Sequence, residues 1–292
     1  MFRSQLFERP DFIPPFRDFA PLAGTRVGLT GQRGVLGKIL ARRLHEQGIS
    51  VDAYPGDITD RQGLSGWFTE QTFDLFFHFA ALVPVTEVER DPAMAFEVNA
   101  IGSYRICEQL ARTNRGCWAF FASTSHIYQP ASPDDARTLK VGDKEAPSSM
   151  YGRTKLAGEH LCRQFLEALG RPYCIGRIFS FSHSSQEEPY LIPRLERQIR
   201  DLGDGERLTV VNPGSVRDIV DAEVIIDAIL YLAMRRSCGT VNIGSGSGTS
   251  VADVAQRLAG RLGRELHIDG EARGQPDALV ADIEPLRRII AS

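Results

Sequence analysis

The sequence predicts a doubly wound α/β sheet of parallel strands, followed by a small C-terminal α/β lobe. Three observations carry this. Short apolar runs alternate with segments of helical periodicity up to residue 180, the pattern of a parallel sheet with right-handed crossovers. A glycine-rich turn separates the first run from the first helix. Beyond residue 180 the alternation breaks into shorter pieces. The expected divisions are an N-terminal extension (1–24), a nucleotide-binding half (25–180) and a mainly substrate-binding lobe (181–292) that returns in part to the sheet.

Thr25–Thr30 is a short apolar run of the buried-strand type. From Val35, the apolar stripe Leu36, Ile39, Leu40 and Leu44 has helical spacing. Ile49–Tyr54, Phe73–Ala81 and Cys117–Ser123 are strand candidates, with helical periodicity over Pro92–Thr113. Tyr151–Leu169 predicts a long amphipathic helix, and Pro172–Phe179 another strand. In the lobe the clearest elements are a helix over Asp221–Arg235, a strand over Thr240–Ile243 and a helix over Val251–Leu262. Gly244–Ser250 reads as a turn before the last of these.

The chain has 292 residues, 42% of them hydrophobic, which allows a sizeable core. A net charge of −3 points to neither nucleic acid nor an anionic membrane. Five scattered cysteines without a C-x-x-C pair read as thiols of a reducing compartment. Histidines at ligand spacing are lacking, so no metal is expected. No apolar stretch is long enough to span a membrane, and the first 24 residues lack the core of a signal peptide. A cytoplasmic enzyme is expected. Its extension, with four prolines and five phenylalanines, is expected to be a loosely ordered arm. The alternative is that its phenylalanines pack on the body or on a partner subunit.

Gly31-Gln-Arg-Gly34-Val-Leu-Gly37 lies between strand and helix, the context of a dinucleotide-binding turn. The first glycine permits the tight turn, the second backbone approach to a pyrophosphate, the third close packing of helix and strand. Val35 and Leu36 open the helix, whose unpaired N–H groups and positive dipole end suit phosphates. Arg33 in this loop suits a 2′-phosphate. Asp52, 21 residues after Gly31, falls inside a strand rather than at its tip, so NADP is favoured over NAD. Asp57 and Ile58 are candidates to meet the adenine, with Thr59 or Asp60 free to cap the next helix.

Tyr151-Gly-Arg-Thr-Lys155 sets a phenol and an ammonium on one helical face. A cation one turn away is expected to lower the phenol's pKa, so that the pair can exchange a proton with a substrate oxygen. Lys155 can also hold the nicotinamide ribose. Chance produces this spacing easily; its force comes from position, on the helix expected after the fifth parallel strand. Ser123, Thr124 and Ser125, at the carboxyl end of an earlier strand, supply hydroxyls where ligands of such sheets bind.

Together these pieces resemble the extended short-chain dehydrogenases/reductases that act on nucleotide sugars as epimerases, dehydratases or reductases, on a Rossmann-type sheet. The matching motifs are T-G-x-x-G-x-x-G at Thr30–Gly37, G-D-I at Gly56–Ile58, H-F-A-A at His78–Ala81, Asn99 with Gly102, S-T-S-H-I-Y at Ser123–Tyr128, Y-G-R-T-K at Tyr151–Lys155, R-D-I-V-D at Arg217–Asp221 and N-I-G at Asn242–Gly244. The resemblance implies that Thr124 is the catalytic hydroxyl. It adds Phe79, Ala80, Ala81 and Asn99 to the cofactor contacts, and Val83, Ser125, Ser180, Arg217 and Arg273 to the substrate contacts. The two arginines would reach the diphosphate. Dehydratases carry Asp-Glu where this chain has Ser125-His126, which argues against that chemistry. His126 is either a second acid/base or a hydrogen-bonding wall residue. His183 is expected to line the same pocket. The family often has Asn where Ser180 stands.

The expected function is NAD(P)H-dependent reduction of a keto group on a nucleotide-activated sugar, of the 4-keto-6-deoxy type. One alternative is an epimerase with tightly bound NAD; another is a non-catalytic nucleotide sensor. A homodimer is implied by the resemblance.

Overall fold

The computed structural model describes residues 6–135, 137–203 and 206–292. In chain order its strands are β1 (Val27–Thr30), β2 (Val51–Ala53), β3 (Leu75–His78), β4 (Trp118–Thr124), β5 (Tyr173–Ile178), β6 (Ser180–Ser182), β7 (Arg207–Val211), β8 (Val216–Arg217), β9 (Ile219–Asp221), β10 (Gly239–Ile243), β11 (Thr249–Ser250), β12 (His267–Glu271) and β13 (Ala278–Leu279). The helices are α1 (Val35–Glu46), α2 (Arg61–Glu70), α3 (Val85–Arg90), α4 (Pro92–Phe96), α5 (Ser103–Thr113), α6 (Met150–Ala168), α7 (Leu191–Asp201), α8 (Ala222–Met234), α9 (Val251–Arg261) and α10 (Glu284–Ala291).

Six parallel strands form the central sheet in the order β10-β5-β4-β3-β1-β2. The strand order reverses at β1, so the crevice beyond the carboxyl ends of β1 and β3 is the ligand position of such sheets. Helices cover both faces, which is why β1 and β3 are buried throughout rather than alternating. Phe77 and Phe120 join α1, α8 and α10 in one core; Phe76 and Phe121 join α2, α5 and α6 in the other. Successive side chains of each strand thus serve opposite layers.

The helical region predicted over Pro92–Thr113 is continuous but carries a π turn at Glu97–Gly102 between α4 and α5. The helix bearing Tyr151 follows the fourth strand of the chain and precedes the fifth, one crossover earlier than the periodicity suggested. The C-terminal lobe packs α7 and α9 around the β7–β12 pair, while α8, β10 and α10 belong to the central layers.

The described part of the N-terminal extension is not a loose arm. Ile13, Phe16 and Leu22 are buried in the core beneath α1 and α8. Phe16 meets Phe19 and Tyr231 edge-on, each at 5.0 Å. The first five residues lie outside the described chain. Four cysteines are buried free thiols and Cys238 is exposed.

Candidate active site

A cavity of about 1320 Å³ opens at the carboxyl ends of β1, β3 and β4 and runs into the C-terminal lobe. On its nucleotide side the glycine turn is dictated by close approach. Gly31 has φ +81°, and a Cβ there would lie 2.5 Å from the Ala80 amide nitrogen, so only glycine lets the turn rest on the exit of β3. A Cβ on Gly37 would fall 2.2 Å from the Gly31 carbonyl oxygen. The third glycine therefore makes room for the loop itself rather than for the strand. A Cβ on Gly34 would meet that oxygen at an ordinary 3.4 Å, so the protein's own packing does not demand glycine there.

Gly34 is the N-cap of α1, and no side chain accepts from the first turn's N–H groups. Val35, Leu36 and Gly37 present that turn to the cavity, a shape and polarity suited to a diphosphate. Gln32 Nε2 donates to the Tyr54 carbonyl at 2.9 Å, fixing the turn to the exit of β2. Arg33 lines the cavity. Asp52 is exposed within β2 and lies away from it. Asp57 and Ile58 line it; Asp57 Oδ1 already accepts from the Thr59 N–H and hydroxyl, each at 2.8 Å. Asp60 caps α2.

Phe79, Ala80, Ala81 and Val83 form the wall beyond β3. Asn99 does not reach the large cavity. The π turn directs its fully buried amide to the Leu82 backbone, accepting at 2.8 Å and donating at 2.9 Å, and to the Thr154 hydroxyl at 3.0 Å. It thereby holds the loop after β3 against α6.

Ser149 caps α6 by accepting from the Gly152 N–H at 3.1 Å. A Cβ on Gly152 would lie 2.3 Å from the His126 carbonyl oxygen, so this glycine lets the helix seat directly on the turn after β4. That contact brings Thr124, Tyr151 and Lys155 to one wall of the cavity. The Thr124 hydroxyl lies on the same wall as the Tyr151 phenol and influences its ionisation. Burial holds that phenol above its ordinary value; the Thr124 hydroxyl works against the rise and the nearby Tyr190 adds to it. The phenol is thus held above its ordinary value rather than below it as expected from a cation one turn away, because burial dominates. Lys155, itself buried, is pushed down to about 8 by burial, with Cys162 and Glu159 opposing.

Behind this wall is a network the motifs did not reveal. Arg177 on β5 is fully buried and grips Glu159, one turn beyond Lys155, with Nη2 at 2.8 Å and Nε at 3.1 Å from Oε2. Arg177 also donates to the Tyr128 hydroxyl at 3.0 Å and to Glu145. Ser123 donates to Glu159. A buried charge needs such partners, but neither residue carries a spacing signal by which sequence reasoning could have paired them.

On the lobe side, Ser125, His126, Ser180, Arg217 and Arg273 all line the cavity. The His126 ring stands edge-on to Tyr151, centroids 6.0 Å apart. Burial first, then Arg217, push its pKa down to about 4 against the pull of Asp277, so the imidazole is neutral at neutral pH. Arg217 is ion-paired at 2.8 Å with Asp277, which also lines the cavity. Arg273 sits at the rim, largely exposed and paired with Glu271. His183, expected to line the pocket, turns aside: Nδ1 bonds Ser185 at 2.8 Å, and Gln186 takes its place in the wall. Tyr190 and Arg194, at the start of α7, line the cavity too; they belong to an amphipathic helix with no motif to mark them. Among the described residues there is no cluster of three His, Cys, Asp or Glu able to hold a metal ion.

The model of the "NAD dependent epimerase/dehydratase family" matches residues 27–244. A UDP-glucose 4-epimerase of Halalkalibacterium halodurans is 27% identical, over 82% of this chain and 77% of its own. A GDP-6-deoxy-D-mannose reductase of Pseudomonas aeruginosa is 26% identical, over 83% and 82%. Among solved structures, RMD from Pseudomonas aeruginosa, complexed with NADPH, superposes with a TM-score of 0.81 at 24% identity, covering 91% of this chain and 92% of that one.

Proposed function

Because the chain belongs to the NAD dependent epimerase/dehydratase family, and so to the extended short-chain dehydrogenases/reductases, we propose that it reduces a keto group on a nucleotide-activated sugar, of the 4-keto-6-deoxy type, with NADPH. The observation that carries this reading is that Thr124, Tyr151 and Lys155 meet on one wall of the cavity that the glycine turn also lines, with the phenol held above its ordinary pKa by burial. A reductase needs a proton donor here, and a protonated phenol is one.

The residues present fit the cofactor. The uncapped first turn of α1 and the Gly31–Gly37 turn offer a cradle for the diphosphate. Arg33 lines the adenosine end, and no acid stands at the tip of β2 to repel a 2′-phosphate. A bound NADPH supplies the hydride. The chain's own residues hold and protonate the substrate. Tyr151 gives its proton to the carbonyl oxygen. Thr124 donates to the oxygen left on Tyr151, and the Lys155 ammonium stabilises that phenolate through its field. Arg217 and Arg273 face the diphosphate of the sugar nucleotide. His126, neutral and edge-on to Tyr151, is read as a wall residue that hydrogen-bonds the sugar.

A second reading has a specific observation behind it: the similarity to a UDP-glucose 4-epimerase, which covers 77% of that protein. An epimerase would recycle tightly bound NAD, with His126 as a further acid. The sensor alternative loses its basis, because Thr124, Tyr151 and Lys155 share one cavity wall. The reading includes a cytoplasmic homodimer. The free thiols suit a reducing compartment, and four of the exposed large apolar residues, Val85, Met94, Phe96 and Ile101, fall in the segment leading into α5. No described helix is long and apolar enough to cross a membrane.

The test is incubation with several 4-keto nucleotide sugars and NADPH. Consumption of NADPH with formation of the hydroxy sugar is expected. Inertness toward all of them, with nicotinamide cofactor retained through purification and interconversion of sugar epimers, would replace this reading by the epimerase.

A further inference from the structure

The N-terminal extension lies outside the family match, which begins at residue 27, and it contributes no residue to the cavity wall. Its course nonetheless joins the two halves of the site. Leu6 is buried, and with Phe7 it packs into the core of the C-terminal lobe, among Ile192, Leu195 and Ile199 of α7 and Leu258 of α9. Seven residues on, Ile13 enters the other core, beneath α1 and α8.

Between these anchors the chain is held by one buried carboxylate. Asp227 of α8, 1% exposed, accepts from the Phe16 amide at 2.9 Å and pairs with Arg9 at 2.7 Å. Arg43 of α1 pairs with the same carboxylate and donates to the Phe16 carbonyl at 2.8 Å. Arg9 also donates to the Ile13 carbonyl at 2.9 Å, closing the turn between the two anchors. Phe12 stacks on the Arg287 guanidinium of α10, 5.1 Å from its centroid.

What lies beneath the first anchor matters for the site. α7 supplies Leu191, Ile192 and Arg194 to the cavity wall, and Ile192 belongs to the cluster that includes Leu6. α8 follows directly on β8 and β9, which carry Arg217 and Ile219 of the same wall. The first turn of α7 therefore lines the cavity while its buried side shares a core with the arm, Ile192 belonging to both.

We propose that residues 6–24 are a strap: they fasten α7 of the lobe to the α1–α8 layer of the nucleotide half, and so hold the lobe's wall of the cavity in place without touching the ligand. Loosely packed local elements open independently of the global fold, and the strap suppresses such opening of α7.

The consequence for substrate rests on reading the lobe as the sugar-binding side; the strap itself does not, and a readout without substrate tests it. In the full chain, Leu6→Ala/Phe7→Ala removes the lobe anchor, and Arg9→Gln cuts one link to Asp227 while Arg43 remains. Amide hydrogen exchange over 191–201 is expected to quicken about tenfold in the double variant and less in Arg9→Gln. Exchange in β1, β3 and β4 stays as in the parent. With substrate turnover established in the parent, KM for the sugar nucleotide rises while the Kd for NADPH stays within about twofold. Unchanged exchange over 191–201 in a folded double variant overturns the strap. So does a rise shared equally with the central strands, which would make the arm a part of general stability. Should the double variant fail to fold, the Arg9→Gln pattern decides by the same two criteria. Inactivity of the parent would count against the functional reading alone.

Discussion

Thr124 ends β4 and Tyr151 stands in the first turn of α6, and the two hydroxyls share one wall of the cavity, the threonine drawing the phenol's pKa down. That influence has the sign of a donor to the oxygen that must become negative when the proton leaves. Tyr151→Phe is therefore expected to lower kcat by about 10²–10⁴-fold, the range of a lost positioned acid. Thr124→Val should lower it by about tenfold to a hundredfold, as for one donor to a developing oxyanion. Neither touches the glycine turn, so NADPH titration by fluorescence should give parent-like affinity. A Tyr151→Phe protein with parent kcat would remove the phenol from the reaction.

Lys155 gives a pH signature with two opposite signs. Its pKa in the folded chain is about 8, against an ordinary 10.5. Above about 8 the ammonium is lost, so kcat/KM should fall as pH rises through that value. Stability should move the other way. Between about 8 and 10.5 the unfolded chain binds a proton that the folded chain has released, so this group's contribution to unfolding free energy rises with pH. Below about 8 both states are charged and the burial penalty is felt in full. Thermal melts of the parent and Lys155→Met across this interval isolate the trend, which should vanish in the variant. His126, held down to about 4, is neutral throughout, so His126→Gln should keep the alkaline limb. Loss of that limb in His126→Gln would assign it to the imidazole instead.

How much of this was legible in the sequence depends on whether a residue acts through the chain's local period or across the fold. The sheet was readable because both faces of β1 and β3 are covered, which makes their sequences mainly apolar without alternation. The nucleotide turn was readable because Gly31 and Gly37 are required by backbone contacts within a few residues or at a strand exit. The hold of Asn99 on the Leu82 backbone was not legible, because it depends on a π turn invisible in the spacing. Arg177 and Glu159 were missed because they meet across 18 positions and two elements. The arm was misjudged because its proline-rich composition suggests disorder, whereas burial of Ile13 and Phe16 depends on a groove the distant α8 provides.

The two outer glycines and the middle one should respond differently to a methyl group. Gly37→Ala would force a Cβ to 2.2 Å from the Gly31 oxygen. Overpacking of backbone against backbone destabilises by roughly 1–3 kcal/mol, so its melting point should fall. Gly34→Ala meets only a 3.4 Å contact and should melt like the parent. It should still bind NADPH about tenfold or more weakly, because the added methyl stands where backbone must approach the pyrophosphate. Calorimetric titration beside a melting curve separates the two. Parent-like NADPH affinity in Gly34→Ala would place the diphosphate elsewhere.

Cofactor choice is expected to rest on Arg33. It lines the cavity where no acid stands at the tip of β2, and Asp52 is exposed within the strand instead. Arg33→Ala should raise KM for NADPH by about tenfold to a hundredfold, the worth of a charge-assisted bond to phosphate, and leave KM for NADH within about twofold. Equal losses with both cofactors would mean that Arg33 stacks on the adenine rather than pairing with a 2′-phosphate.

The buried Arg177–Glu159 pair should be structural in one sense and functional in another. Glu159→Leu leaves a fully buried guanidinium with Glu145 as its remaining carboxylate partner. Breaking one side of a buried pair destabilises by about 3–5 kcal/mol, whereas replacing both sides with apolar residues is often neutral. Arg177→Met/Glu159→Leu should therefore melt above Glu159→Leu, and urea denaturation of both single variants and the pair measures the coupling. Glu159 also accepts from Ser123, the residue before Thr124. The double variant, though refolded to near-parent stability, should thus keep a lowered kcat with an unchanged KM, because the end of β4 has lost its tether. Full kcat in a stable double variant would confine the network to holding β4, β5 and α6 together.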